Sequence, residues 1–458
     1  MNRYAAVSFW FDSLDEPIEA RPALDQNLEV DVAIVGGGYT GLWTAYYLHN
    51  IDPSLHVAIL EKEVCGFGAS GRNGGWCSGK LAAPWARIAK SSGVAAANAL
   101  RKAMEATVDE VGDVAAKEGI ECDFAKGGTV EVCRNEVQLS KARAEIEEAR
   151  SVGVGEEDLA LLDEKRAREI LDARDVLGAT YTPHCASLHP ARLVRGLAAV
   201  VAARGPMIFE DTKVDEIAPH ALRCGPHTVR AKAIVRATEG YTAALPRSSR
   251  RMIPVYSLMI ATEPVPASTW QEIGLARRET FSDYRHLFIY GQRTKDGRLA
   301  FGGRGAPYHF GSRISPAFDR DDEVHSALRR SIVELFPQLA GVSTTHRWGG
   351  PIGIPRDWHP SVTFDEKSGL ATAGGYVGYG VGASNLAGRT IADLICRRDS
   401  ELVRMPWVGH RSPLWEPEPL RYIGVNLGIV AMRSGDRVEE RTGRPARRAD
   451  LVEHLMHS

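Results

Sequence analysis

Three glycines stand at the spacing of a dinucleotide-binding turn: Gly36, Gly38 and Gly41. They follow the apolar run VDVAIV and precede the helical stretch LWTAYYLHN, so the turn joins a strand to a helix. In such a turn the first glycine permits the tight bend, the second lets a pyrophosphate approach the backbone, and the third lets the helix pack on the sheet. The sequence therefore predicts a dinucleotide site that comprises Gly36, Gly38, Tyr39, Thr40 and Gly41.

A carboxylate at the end of the second strand supports this prediction. Glu61 closes the run VAILE, 20 residues beyond Gly41, where its oxygens can accept hydrogen bonds from an adenosine ribose and repel a 2′-phosphate. We include Glu61 and the next residue, Lys62, in the site. The alternative, a glycine turn without a ligand, is disfavoured because strand, helix and acid are all in register.

A second glycine-rich loop, GFGASGRNGG at 66–75, follows the second strand directly. Its backbone can lie against a flat or anionic ligand, and its polar side chains offer several donors. Arg72 has two interpretations, contact with the ligand or bracing of the loop, and the anion chemistry of guanidinium favours contact. The loop residues assigned to the site are Gly68, Ala69, Ser70, Arg72, Asn73, Gly74 and Gly75.

The elements that must hold these loops change character along the chain. Residues 85–118 and 137–172 are rich in helix formers and interrupt the nucleotide fold. Between 253 and 303 the pattern predicts strands of an antiparallel sheet, with Asp296-Gly297 as a hairpin turn. Residues 369–398 return to strand, glycine turn and helix, after which Pro-rich and Arg-rich segments lead to a short terminal helix.

The two glycine segments resemble the D-amino-acid-oxidase-like family of FAD-dependent oxidoreductases. VAIVGGGYTGL and GFGASGRNGG look most like its γ-glutamylputrescine oxidase branch. AKAIVRATEGYTAALP resembles the family's strand and loop that return to the FAD, and GGYVGYGVGASNLAGRTIADLI resembles the segment that covers the flavin pyrimidine ring. The resemblance implies further cofactor contacts at Val214, Thr238, Gly240, Gly378, Gly380 and Val381.

The fold that this family implies is α/β plus α+β: a discontinuous Rossmann-like FAD-binding domain with an inserted antiparallel-sheet substrate domain. We expect the FAD-binding domain at 1–84, 185–250 and 345–400, the substrate domain at 85–184 and 251–344, and a C-terminal extension at 401–458. Related enzymes that bond covalently to the flavin use a Cys before the C-terminal segment or a His in the early loop. This chain has neither there, so we expect noncovalent FAD.

The resemblance also implies the reaction, oxidation of a C–N bond in an amine or amino acid. A hydride passes to flavin N5, water hydrolyses the imine, and oxygen or another acceptor reoxidises the flavin. The protein need only place a neutral amine over the ring and keep water away. The residues expected on the substrate face are Tyr256, Arg304, Tyr308, Trp348 and Tyr379, with packing or surface exposure as the alternative for each.

Two other functions stay open at this point. One is a flavin monooxygenase, which is disfavoured because the sequence offers no place for a nicotinamide donor. The other is a flavin-binding subunit without turnover of its own.

The amino-acid composition limits the classes of molecule that the protein can bind. The 458 residues are 44% hydrophobic, and 56 basic against 58 acidic residues leave no electrostatic footprint for nucleic acid or an anionic membrane. Seven cysteines form no CxxC pair, the histidines lack metal spacing, and no apolar run approaches a membrane span. We therefore expect a reduced, cytoplasmic protein that acts on small molecules without a metal. His184, His189 and His359 are expected to be loop hydrogen-bonding residues.

One position separates amines from simple amino acids. Family members that resemble glycine oxidase carry an Arg a few residues after the tryptophan, where it clamps the substrate carboxylate, whereas this chain has Ile352 there. Without that clamp an α-amino acid buries its carboxylate unpaired. We therefore expect amines or polyamine derivatives to react faster than glycine, D-alanine or sarcosine. Arg304 is the substitute anchor that would reverse this preference.

Overall fold

The computed structural model describes residues 4–246, 248–449 and 452. The α-helices in this part of the chain are α1 Phe9–Asp12, α2 Tyr39–Ile51, α3 Trp85–Ser92, α4 Val94–Lys117, α5 Glu136–Ser151, α6 Glu164–Ile170, α7 Pro190–Ala203, α8 Ala267–Ile273, α9 Asp322–Leu335, α10 Gly380–Ile395 and α11 Leu420–Thr442.

The β-strands within the same residues form two large sheets and one small one. They are β1 Leu28–Val35, β2 Val57–Leu60, β3 Trp76–Ser78, β4 Thr129–Cys133, β5 Ala160–Asp163, β6 Gly178–Thr182, β7 Cys185–Ser187, β8 Met207–Phe209, β9 Glu216–Ala218, β10 Ala221–Cys224, β11 His227–Arg236, β12 Ile253–Thr262, β13 Thr280–Asp283, β14 Ile289–Arg293, β15 Leu299–Gly303, β16 Thr344–Ile354, β17 Ser361–Asp365 and β18 Leu370–Gly374.

The first sheet is built on β1, which pairs in parallel with β2 on one side and with β11 on the other. The strand order is β17-β18-β11-β1-β2-β8, so neighbours in space come from distant parts of the chain. Val32 and Ile34 face a core shared with α2, α4 and α10, while Ala33 and Val35 face a smaller core on the other side. Burial on both faces explains why β1 is a continuous apolar run rather than an alternating one. This is the predicted discontinuous Rossmann-like domain.

The second sheet has the order β16-β12-β15-β14-β13-β4-β6-β5 and is antiparallel except where β13 pairs with β4. The predicted hairpin is confirmed, because β14 pairs with β15 and Gly297 at the turn has a φ of +80°. That backbone conformation strongly favours glycine. The short strands β3 and β7 pair with each other in a third sheet, and β3 directly follows the second glycine-rich loop.

The strand pairing differs from the expected domain boundaries at two places. β16 pairs along its whole length with β12, so residues 345–354 join the substrate sheet rather than the nucleotide sheet. α4 packs in the core of the first sheet, although 85–184 was assigned to the substrate domain. We keep the division into two domains as a proposal with these changes.

The segment 137–172 is mostly helical, as expected, with strand β5 between α5 and α6. The 23-residue helix α11 was not predicted from the sequence. The predicted short terminal helix begins within the described residues, since 447–449 are helical, and most of its remainder lies outside them. None of the helices in the described residues is long and apolar enough to span a membrane. All seven cysteines are free.

Candidate functional site

The glycine turn has the geometry that its spacing predicts. Gly36 has a φ of +110°, and a Cβ at Gly41 would lie 2.1 Å from the carbonyl oxygen of Gly36, so neither position admits a larger residue. Gly38 is the N-cap of α2 and offers no capping side chain. Apart from the Tyr39 amide, which donates to Ser70, the first amides of α2 therefore keep their capacity to bind an anion.

Glu61 lies where the turn and the second strand meet. Its carboxylate accepts hydrogen bonds from the amides of Gly37, at 2.7 Å, and Glu63, at 2.9 Å. Burial raises the pKa of Glu61, and these amides oppose that shift. Each oxygen retains a lone pair for a ribose hydroxyl. The neighbouring Lys62 is 66% exposed and lies 3.9 Å from Glu63, so its side chain points away from the turn.

The second glycine-rich loop is tied down by its own polar side chains. The Ser70 hydroxyl accepts a hydrogen bond from the Tyr39 amide at 2.9 Å, which fixes the loop against the start of α2. Asn73 donates to the carbonyls of Ala69 and Ser70 and accepts from the Gly75 amide. The loop is thus pre-formed by its own hydrogen bonds.

Gln292 holds the same loop from the substrate sheet, and sequence reasoning missed it. Its amide nitrogen donates to the carbonyls of Gly74, at 2.7 Å, and Gly75, at 3.2 Å. Gln292 is fully buried in β14 and 217 residues from Gly75. No local sequence signal marks this contact.

Arg72 braces the loop instead of facing a ligand. Its guanidinium pairs with Asp319 at 2.6 Å, donates to the carbonyls of Phe67 and Gly349, and stacks on the Phe67 ring. The side chain is 4% exposed. These contacts favour the bracing interpretation over the predicted contact with the cofactor.

The start of α10 lies beside the glycine turn. The Thr40 hydroxyl is 3.0 Å from the hydroxyl of Tyr376, three residues before the N-cap Tyr379. Gly378 has a φ of +101°, and a Cβ built there would meet no heavy atom within 4 Å. The first amides of α10, from Gly380 and Val381, lack intrahelical partners. The arrangement combines two helix N-termini with open space at Gly378.

The remaining predicted cofactor residues are Val214, Thr238 and Gly240. Val214 is buried in the smaller core of the first sheet. The Thr238 hydroxyl is 2.9 Å from that of Thr242, and a Cβ at Gly240 would lie 2.9 Å from the carbonyl oxygen of Pro351. Together with the turn, Glu61 and the second loop, these residues fit an adenine dinucleotide that carries a flat ring.

Arg304 lines a cavity of about 1150 Å³. Its guanidinium stacks 4.3 Å from the Phe288 ring and 5.1 Å from the Trp358 ring, and it donates to the Val377 carbonyl at 3.3 Å. Burial lowers its pKa, and none of the described carboxylates pairs with it. A largely desolvated cation without an anion is costly, so this half-buried side chain is suited to an anionic ligand group.

Two tyrosines lie close enough to Arg304 to influence its pKa, Tyr290 and Tyr379. The Tyr290 hydroxyl is 2.7 Å from the Ser257 hydroxyl, and its ring lies against Gly74 of the second loop. Burial raises the pKa of both tyrosines, so each remains a neutral hydroxyl. Tyr290, which sequence reasoning missed, therefore connects the predicted ring site with the Arg304 cavity.

A partly buried charge cluster lies near Tyr379. The Lys80 ammonium is 2.5 Å from Glu131 and 3.5 Å from Glu145. Burial works to lower the pKa of Lys80, but the two glutamates raise it more. Lys80 thus stays a cation and is satisfied by protein carboxylates, in contrast to Arg304.

The other predicted substrate-face residues have protein partners. The Tyr256 hydroxyl exchanges hydrogen bonds with the backbone of Ser315, although its ring lines the cavity. Tyr308 donates to Glu418 at 2.9 Å, and the Trp348 indole donates to the Arg72 carbonyl at 2.8 Å. Packing explains Tyr308 and Trp348, while Tyr256, Arg304 and Tyr379 remain candidates.

The histidines bind neighbouring protein groups. His189 caps α7 by accepting from the Arg192 amide, and His359 contacts the Pro360 carbonyl. His184 lies near Asp158 and Glu105, a set that could hold a metal ion. The Arg101 guanidinium is 2.5 Å from Glu105 and 3.5 Å from Asp158, so a cation already occupies that set.

Comparison with known proteins identifies a family. Residues 31–394 match the family model described as FAD dependent oxidoreductase, DAO. The gamma-glutamylputrescine oxidoreductase of Escherichia coli (strain K12) is 30% identical over 383 residues, which cover 82% of this chain and 86% of the relative.

Two solved structures share the fold. Glycine oxidase from Geobacillus kaustophilus superposes with a TM-score of 0.67 at 24% identity, covering 84% of this chain and 100% of that chain. L-proline dehydrogenase from P. horikoshii gives a TM-score of 0.68 at 17% identity, covering 82% of this chain and 96% of that chain.

Proposed function

This chain belongs to the family of FAD-dependent oxidoreductases, and on that premise we propose that its substrate is an amine that also carries a carboxylate, which Arg304 binds. The cofactor is FAD, and the reaction is oxidation of the C–N bond of an amine or amino acid. The relatives do not favour a monooxygenase or a subunit without turnover.

The observation that carries the proposal is the unpaired state of Arg304. Its guanidinium is enclosed by Phe288, Trp358 and the Val377 carbonyl, and no carboxylate among the described residues neutralises it. A substrate carboxylate would supply the missing anion through a charge-assisted hydrogen bond. A carboxylate-free amine would leave the buried cation as it is.

The size of the cavity indicates that the amine is larger than glycine. About 1150 Å³ exceeds the volume of most pockets for small ligands, and the walls near Arg304 include Ile352, Val255 and Trp358. Ile352 lines the same cavity, in the place of the arginine expected for glycine oxidase. The carboxylate would therefore bind away from the oxidised carbon rather than beside it.

The chain's own residues then have separable tasks. Arg304 would hold the carboxylate, and the neutral hydroxyls of Tyr290 and Tyr379 would orient the amine end. The apolar walls exclude water from the reacting carbon. When bound, FAD would accept the hydride, and with it the two electrons of the C–H bond, from the carbon beside the amine nitrogen. Oxygen or another acceptor would complete the cycle.

Matched substrates test this proposal. γ-Glutamylputrescine is the compound that appears in the name of the Escherichia coli relative. It carries an amine at one end and a carboxylate at the other, whereas putrescine lacks the carboxylate. The FAD-loaded protein is mixed anaerobically with each compound and with glycine, D-alanine and sarcosine, and loss of flavin absorbance is followed. We expect γ-glutamylputrescine to reduce the flavin at the lowest concentration.

Arg304→Met should reduce the advantage of γ-glutamylputrescine over putrescine by about 10- to 100-fold, the loss expected for one charged hydrogen bond. Arg330→Met, on the exposed face of α9, is the matched control and should change neither substrate. If both compounds react equally in the native protein, or if Arg304→Met preserves the preference, Arg304 is not the anchor.

A further inference from the structure

The C-terminal helix α11 lies outside the residues that match the family, which end at 394. It contacts the loops beside Arg304 through hydrogen bonds, and its Val425 packs against a cluster that includes Ile253 and Ile354 at the ends of two sheet strands. Residues of α11, among them Gly424, Val425 and Gly428, line the same cavity as Arg304. This helix is therefore a part of the chain's own substrate pocket that the family resemblance does not describe.

Asp436 of α11 holds the loop between β13 and β14. Its two carboxylate oxygens accept hydrogen bonds from the amides of His286, at 2.8 Å, and Leu287, at 3.1 Å. The next residue is Phe288, whose ring stacks on the Arg304 guanidinium at 4.3 Å. Asp436 thus fixes the backbone directly before the ring that supports Arg304.

Arg433, one turn earlier on α11, holds the second loop beside Arg304. Its guanidinium donates to the carbonyl of Gly305, the residue after Arg304, at 3.0 Å. The Arg304 amide in turn lies 3.4 Å from the Phe288 carbonyl. The two contacts from α11 therefore fasten both loops that form the Arg304 and Phe288 pair.

Orientation is costly for an arginine, because its long side chain loses rotamer freedom when it is fixed. A guanidinium held flat on an aromatic ring is already oriented, so less freedom is lost when a carboxylate binds. Loss of the contacts from α11 would release the ring and the loop that follows Arg304.

We infer that Asp436 and Arg433 are positioning residues for Arg304, so that α11 sets the affinity of the enzyme for the carboxylate of its substrate. This inference rests on the proposed function of Arg304. It predicts that changes in α11 affect carboxylate-bearing ligands selectively.

The test compares Asp436→Ala, Asp436→Asn and Arg433→Ala with Arg437→Ala, a control on the exposed face of the same helix. Each FAD-loaded variant is titrated with hexanoate, which has a carboxylate and no amine, by calorimetry. Flavin reduction by γ-glutamylputrescine and putrescine is measured over a range of concentrations. FAD content and melting temperature are recorded for every variant.

We expect Asp436→Ala to raise the Kd of hexanoate and the half-saturating γ-glutamylputrescine concentration about tenfold, with putrescine and the saturating rate within twofold. Asp436→Asn, which keeps one acceptor oxygen, should recover part of the loss. In a protein that already carries Arg304→Met, adding Asp436→Ala should cause no further loss of affinity for hexanoate or γ-glutamylputrescine, because both changes remove the same interaction. If Asp436→Ala does not fold, Arg433→Ala provides the same test from a half-exposed position.

Equal losses for γ-glutamylputrescine and putrescine would show that α11 is only structural. Additive losses in the double variant would contradict positioning. If Arg304→Met selectively loses affinity for the carboxylate-bearing ligands and the α11 variants do not, this inference alone is overturned. If Arg304→Met loses no affinity for them, the proposed function is overturned, and this inference with it.

Discussion

Gly74 and Gly302 enclose the ring of Tyr290 from two sides. A Cβ at Gly74 would lie 2.8 Å from the Cε2 of that ring, and a Cβ at Gly302 would lie 2.4 Å from its Cζ. The ring can therefore stay where it is only while both positions are glycine. In this position the Tyr290 hydroxyl lies 2.7 Å from the Ser257 hydroxyl. Gly74 and Gly302 therefore determine where the Tyr290 hydroxyl lies in the site.

Gly38→Ala and Gly74→Ala should each lower the FAD content of the purified protein. At Gly38 the added methyl would stand 3.0 Å from the Ser70 hydroxyl, where the pyrophosphate must approach; at Gly74 it displaces Tyr290 beside the ring. FAD content is measured by absorbance after release. Gly341→Ala, where a Cβ meets nothing within 4 Å, is the control and should retain full occupancy. Full FAD content in the Gly38 and Gly74 variants would contradict the site assignment.

Residues of the site differ in how far the sequence could predict them. The turn at 36–41 and Glu61 lie within one strand-turn-helix-strand unit, so their spacing alone indicates the chemistry. Tyr290 and Gln292 reach the second loop through strand pairing across more than 200 residues of chain. The local sequence predicts that Arg72 contacts the cofactor, because it does not indicate that the anion paired with Arg72 in the structure is Asp319, 247 residues away.

At the scale of elements, the junction between the two sheets depends on Glu239. This residue has a φ of +39°, which is unfavourable for a residue with a Cβ, and its carboxylate accepts a hydrogen bond from the Gly353 amide of β16 at 2.6 Å. Burial raises the pKa of Glu239 from 4.5 to about 7, against the effect of backbone amides. A single carboxyl thus links the loop after β11 to the substrate sheet.

The contribution of Glu239 to the free energy of unfolding should fall as the pH rises from about 4.5 to 7, whereas the lowered pKa of His189 and of His359 acts in the opposite direction in the same window. The folded protein binds the Glu239 proton more tightly than the unfolded chain does, so raising the pH through this window favours unfolding. The contribution is at most ~3 kcal/mol, from 1.36 kcal/mol per pKa unit. Glu239→Gln should flatten this dependence in urea unfolding at pH 5, 6, 7 and 8. Glu401→Gln, an exposed control, should keep the native slope. A difference between the native protein and Glu239→Gln that does not change with pH would show that Glu239 ionises normally.

Elements were predicted well where the local pattern suffices. β1, α2 and the Asp296-Gly297 hairpin follow from periodicity and turn chemistry. β16 contains Gly349, Gly350 and Pro351, which weaken the strand signal, and it forms because β12 pairs with it over its whole length. Pairing with β12, which the local pattern does not contain, therefore decided β16.

At the scale of the whole molecule, the cysteines bear on how FAD is held. Cys65 and Cys77 are the cysteines nearest in sequence to the second glycine-rich loop, and both are buried. Burial raises the pKa of each thiol well above its usual value, which leaves little thiolate to attack a flavin. The sequence also lacks the Cys and His at the positions that covalent relatives use.

Acid should therefore release the FAD of the purified protein into solution. After precipitation with trichloroacetic acid, the yellow colour is expected in the supernatant, because only noncovalent contacts at the turn, Glu61 and the second loop hold the cofactor. Adding FAD to the released apoprotein after refolding should raise its melting temperature, since a ligand at 100 times its Kd stabilises the folded state by about 2.7 kcal/mol. Colour that stays with the pellet would contradict noncovalent binding, and each cysteine-to-serine variant would then identify the bond. A melting temperature that FAD does not change would contradict binding across the folded site, because a ligand that contacts strands, turn and α10 together can bind only the native arrangement.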